Sequence, residues 1–276
     1  RSNADRLPTL SISALSKASA DVPSQIQIKA KTYIDRIPRL LKNGNMVVPT
    51  FDIEIDIDLE NSQSILQDAG LGDGEVASRV YLYGYIRHDR IQNPLWQSSI
   101  IGNFEDYSNT REGEHRVYLD TWNYLLSQIA DAKTSGKTIG IFHYSHHEIH
   151  YWRKWADQFA DLAGTPPRDA LEKVIQDYFY DLREVAMQIA FPPKPGAAVC
   201  DYSIKTLAPL AGFKWQVDDA GGAMSLFKYQ TAIGADESEA VLAQSWLREY
   251  NKDDVRATMA VRNWIRELFP QAQRMR

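Results

Sequence analysis

One cysteine, Cys200, stands in 276 residues. A lone thiol excludes an internal disulfide and a multi-cysteine zinc site, and it fits a reducing, cytoplasmic compartment. No apolar run reaches the length that spans a bilayer, and no secretory leader is visible, so no membrane is expected as a partner. An excess of positive charge is also missing. Lys and Arg number 31 against 36 Asp and Glu, a net charge of −5. That excludes a generally basic nucleic-acid coat, and any phosphate contact must be local or helped by bound cations. The chain does not open on methionine. Ser2-Asn3-Ala4 has the look of a tag remnant and is set aside, which suggests a piece of a longer protein.

What is present is ordinary for a globular chain: 44% hydrophobic and 24% charged residues, with enough length for a substantial core. Residues 1–45 are expected to be a tag remnant and a helical lead-in. Ile12, Leu15 and Ala18 recur at helical spacing, as do Ile26, Ala30, Tyr33 and Ile37. Residues 46–276 are expected to form one domain.

That domain opens on Val47-Val48-Pro49-Thr50-Phe51-Asp52-Ile53-Glu54-Ile55-Asp56, a strand over 47–57 interrupted by carboxylates. Side chains alternate along a strand, so Asp52 and Glu54 share a face. Two anions on one face of an apolar strand repel, and cations between them relieve this. Asp52-x-Glu54 is therefore a candidate metal platform, or else the solvated face of an edge strand. The glycine-rich stretch over 58–78 is expected to be a loop. Strands are expected at 79–86, near 95–104 and at 137–143, with a helix over about 112–133 between the last two. The chain from 164 to 235 is less regular, apart from helices ending near 178 and starting at Ser203.

Glu148 follows His143-Tyr144-Ser145-His146-His147 and heads a helix with an apolar stripe of Trp152, Trp155, Phe159 and Leu162. It either completes a metal site or simply favours the helix dipole. A zinc-protease helix would need histidine at 151, where Tyr151 stands, and the His146–His150 pair has no evident third ligand. Near the C-terminus, Tyr250 and Asp254 lie four apart, in register with Ala257, Val261, Trp264 and Leu268. A carboxylate on such a stripe needs a partner or a metal. Asp253 is its neighbouring decoy. Lys205, in the first turn of a short helix, is unfavourable to the dipole and either faces a phosphate or is solvated.

Asp52-x-Glu54, Glu148 and Tyr250-x-x-x-Asp254 together resemble the DEDD 3′–5′ exonuclease superfamily in its tyrosine variant. The second motif departs from the usual pattern, with Tyr144, His147 and Glu148 where Asn, Phe and Asp are common. A narrower resemblance runs over about residues 45–270. It rests on His143-Tyr144, Glu148, Tyr180-Asp181-Leu182, Tyr202-Ser203-Ile204-Lys205, Gly212-Phe213-Lys214-Trp215 and Asp253-Asp254-Val255-Arg256-Ala257-Thr258. These are similar to the YprB-type RNase H-like domain of bacterial RecB-like putative nucleases.

The resemblance implies an α/β fold, an RNase H-like mixed sheet flanked by helices. It implies 3′–5′ hydrolysis of single-stranded DNA or RNA, assisted by two Mg2+ or Mn2+ ions about 3.5–4 Å apart. Asp52, Glu54, Glu148 and Asp254 would be the metal ligands, with Tyr250 orienting water. His143, Tyr144 and Lys205 would contact substrate. It also implies an upstream RecB-like nuclease domain, whose site is not visible here. Alternatives are a catalytically degenerate nucleic-acid-binding module on the same fold, an endonuclease, and a metabolic hydrolase.

Overall fold

The computed structural model describes residues 24–41, 48–62, 78–90, 99–218, 221–234 and 236–269. The expected helix around Ile12 and the glycine-rich stretch after residue 62 lie outside the described residues.

The central strand is β2 (Ile53–Asn61), four residues longer at its end than the sequence pattern suggested. Ile53, Ile55, Ile57 and Leu59 all point to one face and are buried there. The alternation therefore continues through Leu59, and the residues expected to begin a loop instead finish the strand. β2 pairs antiparallel with β3 (Val80–Asp89) and parallel with β5 (Ile139–His143). β4 (Ile100–Glu105) and β6 (Phe179–Asp181) complete a five-stranded mixed sheet in the order β4-β3-β2-β5-β6.

Helices cover both faces. On the odd-numbered face of β2 lie α2 (Arg111–Thr134), α3 (His147–Gln158) and α4 (Arg168–Tyr178). Thr110 caps α2 by accepting from the Gly113 amide at 3.0 Å. Its Val117, Trp122, Leu125 and Ile129 pack with Trp152 and Trp155 of α3. Phe159 ends α3, and its amide still bonds back to Trp155. The opposite face is covered by α8 (Glu237–Leu268), a helix of 32 residues capped by Asp236. Leu247, Tyr250, Asp254, Ala257, Val261 and Ile265 form its buried stripe, at the steps of three and four that a helix requires.

Shorter elements pack around α8. These are α5 (Leu182–Ala186), α6 (Ile204–Leu210) and α7 (Gly222–Gly234). α7 falls in the stretch that is less regular in sequence, where Gly221 and Gly222 read as turns. Its buried Ser225, Tyr229 and Ala232 nevertheless recur every three or four residues. Near the start, α1 (Ser24–Asp35) leads into β1 (Arg39–Leu40), which pairs with β7 (Ile189–Ala190) in a separate two-stranded ribbon. Among the described residues, no helix is long and apolar enough to cross a membrane.

Candidate metal centre

Burial on both faces makes the even-numbered face of β2 unusual. It carries Glu54, Asp56, Asp58 and Glu60, all turned toward α8 rather than toward water. The two ends of this acidic row meet different partners.

At the lower end, α8 supplies cations. Arg262 donates from Nε and Nη2 to Asp56 at 2.9 and 2.6 Å, and from Nη1 to Glu54. Arg266 donates to Glu54 at 3.0 and 2.8 Å. Glu54 and Arg262 are both 0% exposed. Burial works to raise the Glu54 pKa, but Arg262 and Arg266 overcome it and hold the carboxyl below its usual range. For Asp56 burial wins over Arg262, and its pKa is raised. Asp52 lies just before the strand and accepts from the Thr138 amide and hydroxyl, both at 2.8 Å. Those bonds, the backbone one foremost, lower its pKa.

At the upper end, α8 supplies another acid. Asp58, Glu60 and Asp254 bring carboxylate oxygens within 4.8 Å of one another. Burial, followed by the charges of Asp254, Glu60 and Glu148, pushes Asp58 well above the carboxylate range. Burial and Asp254 push Glu60 up to about 8. Neutral donors orient the group. Asn251 Nδ2 reaches Asp58 Oδ2 at 2.8 Å, and Ser225 Oγ reaches Glu60 Oε2 at 3.3 Å.

Glu148 enters from the first turn of α3, just beyond the carboxyl end of β5. The bend that delivers it is built at Ser145, which holds φ at +94°. An L side chain adopts that value only when its surroundings impose it. Here the Ser145 amide donates to Asp181 at 3.0 Å, while its carbonyl accepts from His143 Nδ1 at 2.6 Å. Glu148 Oε2 is buried, and among the described residues its nearest polar partner is the His143 ring nitrogen, at a long 3.5 Å.

The remaining expected residues divide. Tyr250 sits one helical turn before Asp254, its ring stacked on Trp246 with 5.2 Å between centroids. Burial and the nearby Asp254, Glu60 and Asp58 charges raise its pKa, so it remains a phenol. Lys205 Nζ lies 2.5 Å from Asp254 Oδ1, beside the indole of Trp215. Asp253 is no spectator. It accepts from the amides of Gln216 and Val217 and so fixes the loop that carries Trp215. His143 and Tyr144 are buried. The Tyr144 hydroxyl is committed to the Tyr202 carbonyl at 2.8 Å.

Of the residues expected to converge, Asp52 and Glu54 stand apart from the group that Asp254 joins. Glu54 is four strand residues before Asp58, about 13 Å along the sheet. It is neutralised there by arginines, and Asp52 lies further still, against Thr138. The pair that lies beside Asp254 is Asp58-x-Glu60, which the sequence analysis did not single out. It repeats the D-x-E string, and Leu59 between the acids continues the isoleucine alternation.

The residues present fit a divalent metal. They offer clustered hard oxygen donors, two carboxyls driven upward in pKa by burial and mutual repulsion, and a buried Glu148 oxygen with no hydrogen-bond donor within normal reach among the described residues. Oxygen-only ligation suits Mg2+ or Mn2+ better than zinc.

A protein-family model described as the RNase H superfamily matches residues 75–266. The match includes Glu148 and Asp254 and begins after β2. No curated protein matches the chain at a significant level.

Proposed function

The chain belongs to the RNase H superfamily, and on that premise we propose that it is a metal-dependent nuclease whose metal ligands are Asp58, Glu60, Glu148 and Asp254. One observation carries the reading. Along a single strand face, the lower acids meet Arg262 and Arg266, whereas the upper acids meet another acid. A fold that neutralises buried carboxylates with arginine about 13 Å away gives Asp58 and Glu60 no ion pair of their own among the described residues, Lys205 reaching Asp254 alone, and so leaves them for a cation from outside.

Mg2+ or Mn2+ bound there, as a pair in this reading, would supply charge neutralisation and an activated water for phosphodiester hydrolysis. The chain's own residues do the rest. Asp58, Glu60, Glu148 and Asp254 would hold the ions. Asn251 holds the Asp58 carboxylate in position, and Ser225 does the same for Glu60. The Ser145 bend and His143 aim Glu148. Tyr250 keeps its proton, so it orients the attacking water as a hydrogen-bonding phenol and does not act as a base.

The 3′–5′ polarity and the single-stranded substrate follow from the resemblance to tyrosine-type DEDD exonucleases, supported by Tyr250 one turn before Asp254. An upstream RecB-like nuclease domain follows from the YprB-type resemblance alone. The test is incubation of the protein with labelled single-stranded DNA and RNA, each blocked at one end or the other, in Mg2+, Mn2+ or EDTA. Metal-dependent shortening from free 3′ ends is the expected result. Cleavage of circular single strands would replace the exonuclease by an endonuclease. Metal-independent binding without cleavage would leave only a nucleic-acid-binding module.

A further inference from the structure

Asp254 Oδ1 already has two donors. Lys205 Nζ and Trp215 Nε1 each lie 2.5 Å from it. Together they occupy the lone pairs of an oxygen that the metal reading assigns to a cation. The two donors are not equally fixed. Trp215 packs edge-on against Phe213, with centroids 5.1 Å apart, and Asp253 clamps the next two backbone amides. Lys205 sits on a flexible four-carbon stem with its side chain 33% exposed. Its ammonium also lies over two rings, 4.2 Å from the centroid of Trp215 and 4.7 Å from that of Tyr250. Cation–π attraction provides a resting place apart from the carboxylate. The positive charge reaches beyond Asp254, since it opposes the upward pKa shifts of both Asp58 and Glu60.

Resting on the metal-site reading above, we propose that Lys205 is a built-in placeholder cation. It holds Asp254 Oδ1 while the site is empty, gives that oxygen up to a divalent ion, and then binds a phosphate of the nucleic-acid substrate from beside Trp215 and Tyr250. The lysine end of the pair is one-third exposed on a flexible stem, so water can take up the ammonium when a divalent ion displaces it. A divalent ion held by several carboxylates outcompetes it. Once released, the ammonium stands beside an occupied site with no carboxylate committed to it. The phosphate backbone is the anion the substrate brings.

The experiment compares the full chain with Lys205→Met, a side chain of similar reach without charge. Mn2+ binding is measured calorimetrically in the absence of nucleic acid. Removing the competitor should tighten Mn2+ binding by about three- to tenfold. The metal-free melting temperature should fall, as the carboxylates lose their counter-charge. Affinity for fluorescent oligothymidylate in Ca2+ should drop, with a salt dependence shallower by about one ion. In turnover, KM should rise more than kcat falls.

Unchanged or weaker Mn2+ binding by Lys205→Met, beside normal binding by the wild type, overturns the placeholder role and leaves the metal site standing. A wild type that binds no Mn2+ removes the metal-site reading itself, and this proposal with it. Should Lys205→Met fail to fold, Lys205→Arg carries the test. Its two-pronged guanidinium grips a carboxylate more firmly, so Mn2+ affinity should fall severalfold, and an unchanged value overturns the proposal.

Discussion

Gly84 of β3 and Asn251 of α8 touch so closely that a Cβ on the glycine would overlap Asn251 Oδ1. The contact has a purpose, because Asn251 in that position donates to Asp58. Gly84→Ala should push Asn251 off the sheet and release Asp58. Overpacking of this kind costs about 1–3 kcal/mol. Chemical denaturation should show that loss, together with weaker Mn2+ binding. A variant as stable as wild type, with normal Mn2+ affinity, would show that Asn251 does not orient Asp58.

Asp58→Asn and Asp52→Asn separate the two D-x-E strings. Asp58→Asn replaces a carboxyl whose ionised form burial and its acidic neighbours already disfavour, so metal-free stability should hold or rise slightly. Hydrolysis in Mn2+ should nevertheless fall by about a hundredfold or more, as when a main electrostatic contributor is lost. Asp52→Asn should leave hydrolysis nearly intact and cost a little stability through Thr138. The reverse ranking in an end-degradation assay would return the site to the start of the strand.

Arg262→Met leaves Glu54 and Asp56 buried with only part of their compensation. Breaking a buried pair from one side costs about 3–5 kcal/mol. Urea unfolding should therefore show a large loss, while Mn2+ affinity in the surviving folded fraction stays close to normal. A change below about 1 kcal/mol would mean that the acids escape to water.

Glu60, pushed up to about 8, predicts how metal and pH are linked. A carboxyl whose folded pKa lies above its unfolded value holds extra protons in the native state. Its stabilisation is full below the unfolded pKa of about 4.3 and is lost as pH rises through the folded value. In EDTA the melting temperature should decline from about pH 5 toward pH 8 or 9. Glu54, with its pKa lowered, stays ionised in both states over that range and adds no slope. Mn2+ displaces the protons, so its stabilising effect should grow with pH across the same window. Melting curves in EDTA that do not change with pH would remove the buried acidic cluster.

Tyr250→Phe deletes a hydroxyl that remains protonated. Turnover should drop by roughly ten- to a hundredfold, with Mn2+ affinity kept. The pH dependence of kcat should keep its shape, since no titrating group is removed. A lost limb in that profile would identify Tyr250 as a base.

Several parts of this arrangement were legible along the chain. Alternation identified the strand, and helical spacing placed Tyr250 and Asp254 on one buried stripe of a C-terminal helix. The position of Glu148 at the head of the tryptophan-bearing helix was equally readable. The helix at Gly222–Gly234 was hidden by its glycines, and its buried face became meaningful only against Tyr81 and Leu247. His143 and Tyr144 have the chemistry of substrate contacts, yet packing buries both.

The residues alone determined that the start of β2 has an acidic face, because period-two alternation repeats the acids at Glu54 and Asp56, and the structure extends that face through Asp58 and Glu60. Alternation cannot say which of these acids hold a metal, since it treats them all alike. That choice belongs to α8, which crosses the strand from 193 to 212 residues further along the chain. Its C-terminal half lays Arg262 and Arg266 over the first acids, and its middle lays Asn251 and Asp254 over the last. A buried carboxylate is set by the charge opposite it, and only the tertiary fold places that charge.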